Sequence, residues 1–149
     1  MAQAVDAKQQ AATVTAHQIN IQVAKQLANL VRSTLGPYGM DKEMVDAAGE
    51  VVMTNDGATI LKATKLGHPT AKIITEVART QEENCYDGTT SSVVITGELM
   101  DKASGLLDKN IHPTRIAKGY VMANRKAQEC LKEISITVND ELLLAVANT

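Results

Sequence analysis

The chain has 149 residues, which is enough to bury the core of one domain. Hydrophobic residues make up 44% of the chain and charged residues 21%, a composition that excludes a disordered protein. The formal net charge of −2 excludes a broadly basic surface, so we predict no nucleic-acid partner and no membrane partner.

The composition also bears on the core and on the cellular compartment. The aromatic residues are three tyrosines, so the core must consist of Ala, Val, Ile, Leu and Met, which favours closely packed helices. Cys85 and Cys130 lie far apart without metal-ligand spacing, and we predict buried, free thiols in a reducing compartment. The sequence shows neither an apolar signal core nor a stretch of membrane-spanning length, so we predict a cytoplasmic protein.

The chain begins with a polar segment that is rich in Ala and Gln, and we predict that residues 1–18 are flexible. A helix is predicted from about Thr15 to Leu35, because apolar side chains recur there at three- and four-residue steps. These side chains are Ile19, Val23, Leu27, Leu30 and Val31, and Thr34 lies on the same stripe. Gly36-Pro37 ends the helix, since proline lacks an N–H and disfavours helical geometry in the preceding residue.

A small β-hairpin and a short helix are predicted next. Lys42–Asp46 and Val51–Thr54 are the predicted strands, on either side of Ala47-Ala48-Gly49. Asn55-Asp56-Gly57 closes the hairpin and leads into a helix from Ala58 to Lys65.

Two longer helices follow. The first begins at Pro69 or Thr70 and ends near Glu83. Its predicted buried face consists of Ile73, Ile74, Val77, Ala78 and Gln81. The buried face of the second consists of Val93, Val94, Gly97, Met100, Ala103 and Leu107.

The last part of the chain predicts two helices separated by a strand. His112-Pro113 begins the first helix, with an apolar stripe at Ile116, Tyr120, Ala123, Ala127 and Leu131. Alternating Ile134, Ile136 and Val138 predict a short strand, and Asp140 caps a final helix from Glu141 to Ala147. The predicted fold class is therefore mainly α with one β-hairpin.

A stretch rich in hydroxyl groups, Asn84-Cys85-Tyr86-Asp87-Gly88-Thr89-Thr90-Ser91-Ser92, connects the two longer helices. Gly88 allows a ligand to approach the backbone, and unpaired N–H groups at a helix start bind phosphate. Asp87 would repel a bare phosphate, but a Mg²⁺ ion between them would accept oxygen ligands from both. A second interpretation stays open, in which Asp87 or Thr89 caps the helix and the other hydroxyls are solvated.

Two more turns carry residue types suited to the same chemistry. Thr34-Leu35-Gly36-Pro37 is a glycine-containing turn that would clamp phosphates, and Asn55-Asp56-Gly57 supplies a carboxylate to orient water or a metal shell. Each turn taken alone is more typical of an ordinary connection than of a binding site. The common phosphate-binding motifs G-x-x-x-x-G-K and G-x-G-x-x-G are absent from the sequence.

Several segments in fixed order resemble the opening of a group II chaperonin subunit, the family of the archaeal thermosome and the eukaryotic cytosolic chaperonin. They are STLGPYGMDKEMVD, VVMTNDGATILK, HPTAKIITEVARTQEENCYDGTTSSVVITGELM and NIHPTRIAKGY. The resemblance extends from about Asn20 to Thr149. It implies that residues 19–149 form the N-terminal part of a helical, ATP-binding equatorial domain, with the intermediate and apical domains outside this chain.

The resemblance implies roles for individual residues around ATP and Mg²⁺. Asp87 would ligate Mg²⁺, and Asp56 would lie near the γ-phosphate and help to place the attacking water, in a turn with Asn55 and Gly57. The remaining residues would contact the nucleotide and its phosphates: Leu35, Gly36, Pro37, Gly88, Thr89, Thr90 and Ser91.

The resemblance also implies an ATP-dependent chaperone whose partners are other chaperonin subunits, in a homo- or hetero-oligomeric double ring, and unfolded protein clients. The hairpin over residues 42–54 would extend the sheet of a neighbouring subunit. The alternative is a truncated, standalone homologue that acts as a non-hydrolysing assembly or binding module.

Two departures from the family pattern affect these expectations. Tyr86 replaces a glycine, and a left-handed backbone there would cost about 1 kcal/mol or more, while the ring would crowd the phosphate site. The chain also lacks the intermediate domain and its catalytic aspartate. Because phosphoryl transfer depends on such positioning, we predict that the 149-residue chain alone is a poor ATPase.

Overall fold

The computed structural model describes the backbone of residues 2–45, 49–64 and 66–148, and the side chains of this part from residue 16 onward. The mainly α fold with one small hairpin is confirmed. The elements are α1 (Ala2–Arg32), β1 (Lys42–Val45), β2 (Val51–Thr54), α2 (Gly57–Ala63), α3 (Pro69–Cys85), α4 (Thr89–Leu107), α5 (Pro113–Ile134) and α6 (Asp140–Ala147). They form two compact units, Met1–Lys109 and Asn110–Thr149.

Helix α1 begins at Ala2, well before the predicted start at Thr15. The first residues are largely Ala, Gln and Lys, which are strong helix formers, and no glycine or proline interrupts them. The predicted flexibility of residues 1–18 stays a prediction.

The core of the first unit is built from small aliphatic side chains, as the composition predicts. Its buried members are Ala24, Leu27, Val31, Ile60, Leu61, Ala71, Ile74, Ala78, Val93 and Val94. Helices α1 and α4 approach closely at Gly97, where an added Cβ would lie 2.2 Å from Ala28 Cβ. The absence of a side chain at this position therefore sets the distance between the two helices.

Contacts across this pair show that α1 and α4 are antiparallel. Lys25 Nζ lies 2.7 Å from Asp101 Oδ1, and further along α1 Ala28 faces Gly97, which lies nearer the start of α4. A short loop joins α3 to α4, and at the start of α3 Thr70 Oγ1 donates to Asn20 Oδ1 on α1, at 2.9 Å. The ends of α1 and α3 and the start of α4 therefore lie at the same end of the unit.

Strands β1 and β2 pair antiparallel, with Lys42 opposite Thr54 and Val45 opposite Val51, which confirms the hairpin. Asp46, the predicted end of the first strand, and Ala47 and Ala48 of the predicted turn lie outside the described residues, as does Lys65, the predicted end of the short helix.

The second unit corrects two predictions. Ile134 ends α5, and residues 135–139 form no strand, because the described residues offer no partner for their backbone groups. Asp140 is the first residue of α6, and the cap is Asn139, whose side chain accepts from the Leu142 N–H.

Several side chains predicted to be buried are exposed. Both cysteines are free, as predicted, but neither is buried. Ile73 on α3 is 65% exposed, and the exposed positions also include Ile19, Val77, Ala123, Ala127 and Leu131. The sequence pattern identifies the apolar face of a helix, but how much of that face is covered depends on the neighbouring elements.

No helix in the part of the chain that the structure describes has the length and apolar character needed to cross a membrane.

Candidate functional site

The loop between α3 and α4 turns sharply at two left-handed residues that flank Asp87. Tyr86 has φ 58° and ψ 10°, and its N–H donates to the Glu82 carbonyl at the end of α3. Gly88 has φ 78° and ψ 12° and precedes the first turn of α4. The position occupied by Tyr86 therefore does require φ > 0. The Tyr86 side chain is exposed.

The start of α4 carries no side-chain cap from any residue that the structure describes, so the capping interpretation of the hydroxyl-rich stretch is wrong. Asp87 Oδ1 accepts from the neighbouring Gly88 N–H, at 2.6 Å, and Ser92 Oγ donates to the Thr89 carbonyl, at 2.8 Å. Among the described residues, no side-chain oxygen therefore accepts from the first-turn N–H groups of α4. This arrangement, with the positive end of the helix dipole, suits an anion.

Asp56 lies at the start of α2, and it caps that helix. Its Oδ2 accepts from the Thr59 N–H at 2.7 Å, and its own N–H donates to Thr54 Oγ1 at 3.1 Å. Burial raises the pKa of Asp56, but hydrogen bonds from Thr59 and Ala58 and the charge of Lys62 together lower it below its ordinary value. The carboxylate is therefore held in its ionised form.

The starts of α2 and α4 are in direct contact. A Cβ added to Gly57 would lie 2.7 Å from Thr90 Oγ1 and 3.2 Å from Thr90 Cα. This close approach is possible because residue 57 has no side chain. It brings Asp56, just before Gly57, and Asp87, just before the α4 start, to the same region of the first unit.

The turn that contains Leu35, Gly36 and Pro37 follows the end of α1. Gly36 has φ 85°, and the turn is closed by hydrogen bonds from Gly39 N–H to the Gly36 carbonyl and from Met40 N–H to the Ser33 carbonyl, both at 2.9 Å. Leu35, Gly36 and Pro37 are exposed. Because α1 and α4 are antiparallel, this turn lies at the end of the helix pair where α4 begins.

The sequence model of the TCP-1/cpn60 chaperonin family matches residues 27–149 of this chain. The chain belongs to this chaperonin family. Thermosome subunits of Methanothermococcus thermolithotrophicus and Pyrococcus horikoshii are each 53% identical over 137 residues, which are 90% of this chain and 25% of theirs. Thermosome subunit beta of Thermococcus kodakarensis is 55% identical over 126 residues, which are 85% of this chain and 23% of its own.

The resemblance to a group II chaperonin subunit is thereby confirmed. The chaperonin chain described here spans about a quarter of the length of these relatives.

The structure adds two residues that the sequence analysis did not assign to the site. Gln81 was predicted as part of the buried face of α3, but its Nε2 donates to the Asp87 carbonyl at 2.9 Å. Gly39 is needed because an added Cβ would lie 2.3 Å from the Thr34 carbonyl oxygen. A polar residue on an otherwise apolar stripe was the available signal for Gln81, and the second glycine of Gly36-Pro37-Tyr38-Gly39 was the signal for Gly39.

The Asp87 carboxylate in this loop is a ligand type that Mg²⁺ accepts, but the described residues around it do not supply enough ligands to hold a metal without substrate or water. No cluster of three or more His, Cys, Asp or Glu side chains occurs among the described residues. Asp87 is exposed, and its Oδ2 accepts no hydrogen bond from the described part of the chain. Mg²⁺ commonly binds through one or two carboxylates together with water and substrate phosphates, and one accessible carboxylate beside a helix start without a side-chain cap is compatible with that kind of site.

Proposed function

We propose that this chain forms the N-terminal part of the equatorial domain of a chaperonin subunit. We also propose that it binds Mg²⁺-ATP at three turns: the Gly36 turn after α1, the Asp56 turn before α2 and the Asp87 loop before α4. The observation that carries the proposal is the contact between Gly57 and Thr90, which joins two turns that are far apart in the sequence. The antiparallel packing of α1 and α4 supports the inclusion of the Gly36 turn in the same site.

The turns have complementary roles in nucleotide binding. Asp87 provides the carboxylate ligand of Mg²⁺, and the ion neutralises charge on the phosphates when it is bound. The α4 start, with Gly88, Thr89, Thr90 and Ser91, donates backbone and hydroxyl hydrogen bonds to the phosphates. The Leu35-Gly36-Pro37 turn, which follows the end of α1, also contacts the nucleotide.

Asp56 positions the attacking water near the γ-phosphate, within the turn that also contains Asn55 and Gly57. Like an ordinary aspartate, Asp56 is ionised at neutral pH, and its carboxylate is able to accept a hydrogen bond from water. The Thr59 N–H holds Oδ2, which fixes the direction of the carboxylate. Positioning of this kind is the main protein contribution to phosphoryl transfer.

In the full-length protein, we propose that ATP hydrolysis drives the folding of unfolded protein clients in a double ring of chaperonin subunits in the cytoplasm. The hairpin of β1 and β2 provides an edge for strand addition to a neighbouring subunit. The 149-residue chain alone is a poor ATPase in this proposal, because the catalytic aspartate of the intermediate domain is not among its residues.

The test is Asp87→Ala in the full-length subunit. We expect loss of Mg²⁺-dependent ATP hydrolysis, since the substitution removes the carboxylate ligand, and the measurement is phosphate release at saturating ATP. Asp108→Ala is the matched control, because Asp108 is an exposed carboxylate just after the other end of α4. An Asp87→Ala variant that hydrolyses ATP like the Asp108→Ala variant would refute the proposed site.

A further inference from the structure

Gln81 connects the body of α3 to the loop that leads into α4. Its side-chain Nε2 donates to the Asp87 carbonyl, at 2.9 Å. The same nitrogen lies 3.2 Å from the position that a Cβ of Gly88 would occupy, so the amide rests against both residues. One side chain therefore contacts the loop at the predicted Mg²⁺ ligand and at the N-cap of the next helix.

The other hydrogen bonds of this loop do not fix the Asp87 peptide independently of the Asp87 side chain. The Tyr86 N–H donates to the Glu82 carbonyl, which fixes the chain before Asp87. The Gly88 N–H donates to Asp87 Oδ1, but this bond uses the carboxylate that is proposed to bind the metal. When the carboxylate turns toward Mg²⁺, the bond from Gln81 to the carbonyl is able to remain, because it does not involve the Asp87 side chain.

The loop also has a conformational reason to need such a bond. Tyr86 is held at φ 58°, a left-handed conformation that is unfavourable for a residue with a Cβ. Without a restraint beyond Tyr86, the loop has a tendency to relax toward right-handed backbone angles and to rotate the peptide of Asp87. The Gln81 bond opposes that rotation, because it fixes the direction of the Asp87 carbonyl.

We propose that Gln81 is a positioning residue for Mg²⁺-ATP, an inference that rests on the proposed function above. It acts through Asp87 and Gly88 and does not itself touch the metal or the nucleotide. Its amide holds the Asp87 peptide so that the carboxylate and the uncapped N–H groups of α4 are directed toward the same phosphates.

The experiment is Gln81→Met in the full-length subunit, since methionine keeps the length of the side chain and removes the donor. We expect the KM for Mg²⁺-ATP and the Mg²⁺ concentration at half-maximal rate to rise on the order of fivefold, the value of one ordinary hydrogen bond. The Tm should change little, because Gln81 is only partly buried. Gln81→Glu is the second variant: it keeps shape and polarity, and its ionised carboxylate lacks the donor, so the same direction is expected.

Asn84→Ala is the matched control. Asn84 Nδ2 donates to the Thr80 carbonyl, at 2.8 Å, so this variant loses an amide hydrogen bond within α3 and leaves the loop untouched. Its KM and Mg²⁺ dependence should match those of the natural protein.

The outcomes separate the two proposals. Unchanged KM and Mg²⁺ dependence in both Gln81 variants, with activity lost in Asp87→Ala, would overturn the role of Gln81 and leave the nucleotide site intact. Full activity in Asp87→Ala would remove the site itself. A rise in KM in the Gln81 variants that the Asn84→Ala control reproduces would show a general effect of the α3 end and would also overturn the positioning role.

Discussion

Tyr86 combines a left-handed backbone with an exposed ring at the end of α3. Its φ is 58°, and its side chain is 88% exposed, so the ring gains little from packing to offset the backbone cost. The turn itself is needed, because it reverses the chain between α3 and α4 next to Asp87. At this position the natural side chain works against the conformation that the site requires.

We therefore predict that Tyr86→Gly stabilises the protein by about 1 kcal/mol, because glycine adopts φ > 0 without a Cβ penalty. The measurement is the free energy of unfolding from urea titration. We also expect tighter binding of Mg²⁺-ATP or faster turnover in the full-length subunit, since the loop would no longer be strained.

Asn110→Gly is the control for this effect. Asn110 is the other described non-glycine residue with positive φ, at 59°, but asparagine tolerates left-handed angles better than tyrosine does. Its substitution should therefore stabilise the protein less. Weaker Mg²⁺-ATP binding in Tyr86→Gly would instead show that the tyrosine ring is an adapted contact.

Asp56 has two separable tasks, since the carboxylate caps α2 and is proposed to place the attacking water. Asparagine caps a helix about as well as aspartate, whereas it lacks the negative charge. We predict that Asp56→Asn changes the free energy of unfolding by less than about 0.5 kcal/mol at pH 7 and lowers the ATPase rate of the full-length subunit about 100-fold or more.

Asp56→Ala should lose both properties and destabilise the protein by about 1 kcal/mol at neutral pH. The pKa of Asp56 is lowered on folding, so this contribution is present above the ordinary aspartate pKa and is lost as the pH falls through the folded value. Urea titrations at pH 7 and pH 3 measure this difference. An Asp56→Asn variant with normal ATPase activity would limit Asp56 to its capping role.

At the scale of elements, the packing of α1 on α4 determines where the turns lie. Gly97 allows the contact, because an added Cβ would lie 2.2 Å from Ala28 Cβ and 3.3 Å from the Ala24 carbonyl oxygen. Ion pairs at the edge of the interface, from Lys25 to Asp101 and from Arg32 to Glu98, are exposed and contribute little by comparison. The register of the two helices therefore depends mainly on the small residues between them.

We predict that Gly97→Ala destabilises the protein by about 1–3 kcal/mol, because the added methyl group overpacks a tight helix contact. Gly105→Ala on the same helix is the control. A Cβ there would meet no atom within 4 Å, so the higher helix propensity of alanine should stabilise the protein by up to about 1 kcal/mol. Thermal unfolding of both variants distinguishes the effects, and equal shifts of the two Tm values in the same direction would contradict the packing account.

At the scale of the whole molecule, the second unit exposes much of its apolar surface. Side chains on its two helices and the segment between them are more than half exposed: Val121, Met122, Leu131, Ile134, Ile136, Val138, Leu143, Leu144 and Val146. Apolar surface of this kind normally lies at an interface with other protein. The chain spans about a quarter of the length of the chaperonin relatives that it matches.

The order and type of the elements were largely predictable from the sequence, because they depend on local patterns. Pro69 and Pro113 begin helices, as predicted, because the fixed φ and missing N–H of proline suit a first helical position. Helix α1 ends at Arg32, before the predicted end at Leu35, so residues 33–35 separate the helix end from Gly36-Pro37. The strand predicted at Ile134, Ile136 and Val138 was wrong, because alternation describes one strand while a strand also needs a hydrogen-bonding partner. Burial was less predictable, since Ile73 belongs to the apolar stripe of α3 but its side chain is exposed to solvent.

The sequence by itself determined the family, the helices and the residue types of the three turns, because periodicity, helix-ending residues and motif order act over short distances along the chain. The tertiary structure alone decided that Gly57 touches Thr90, that Gln81 binds the Asp87 carbonyl and that α1 and α4 meet at Gly97. These contacts join residues from separate elements, or from a helix and the loop after it. They depend on how the side chains of those elements pack, which no local pattern specifies.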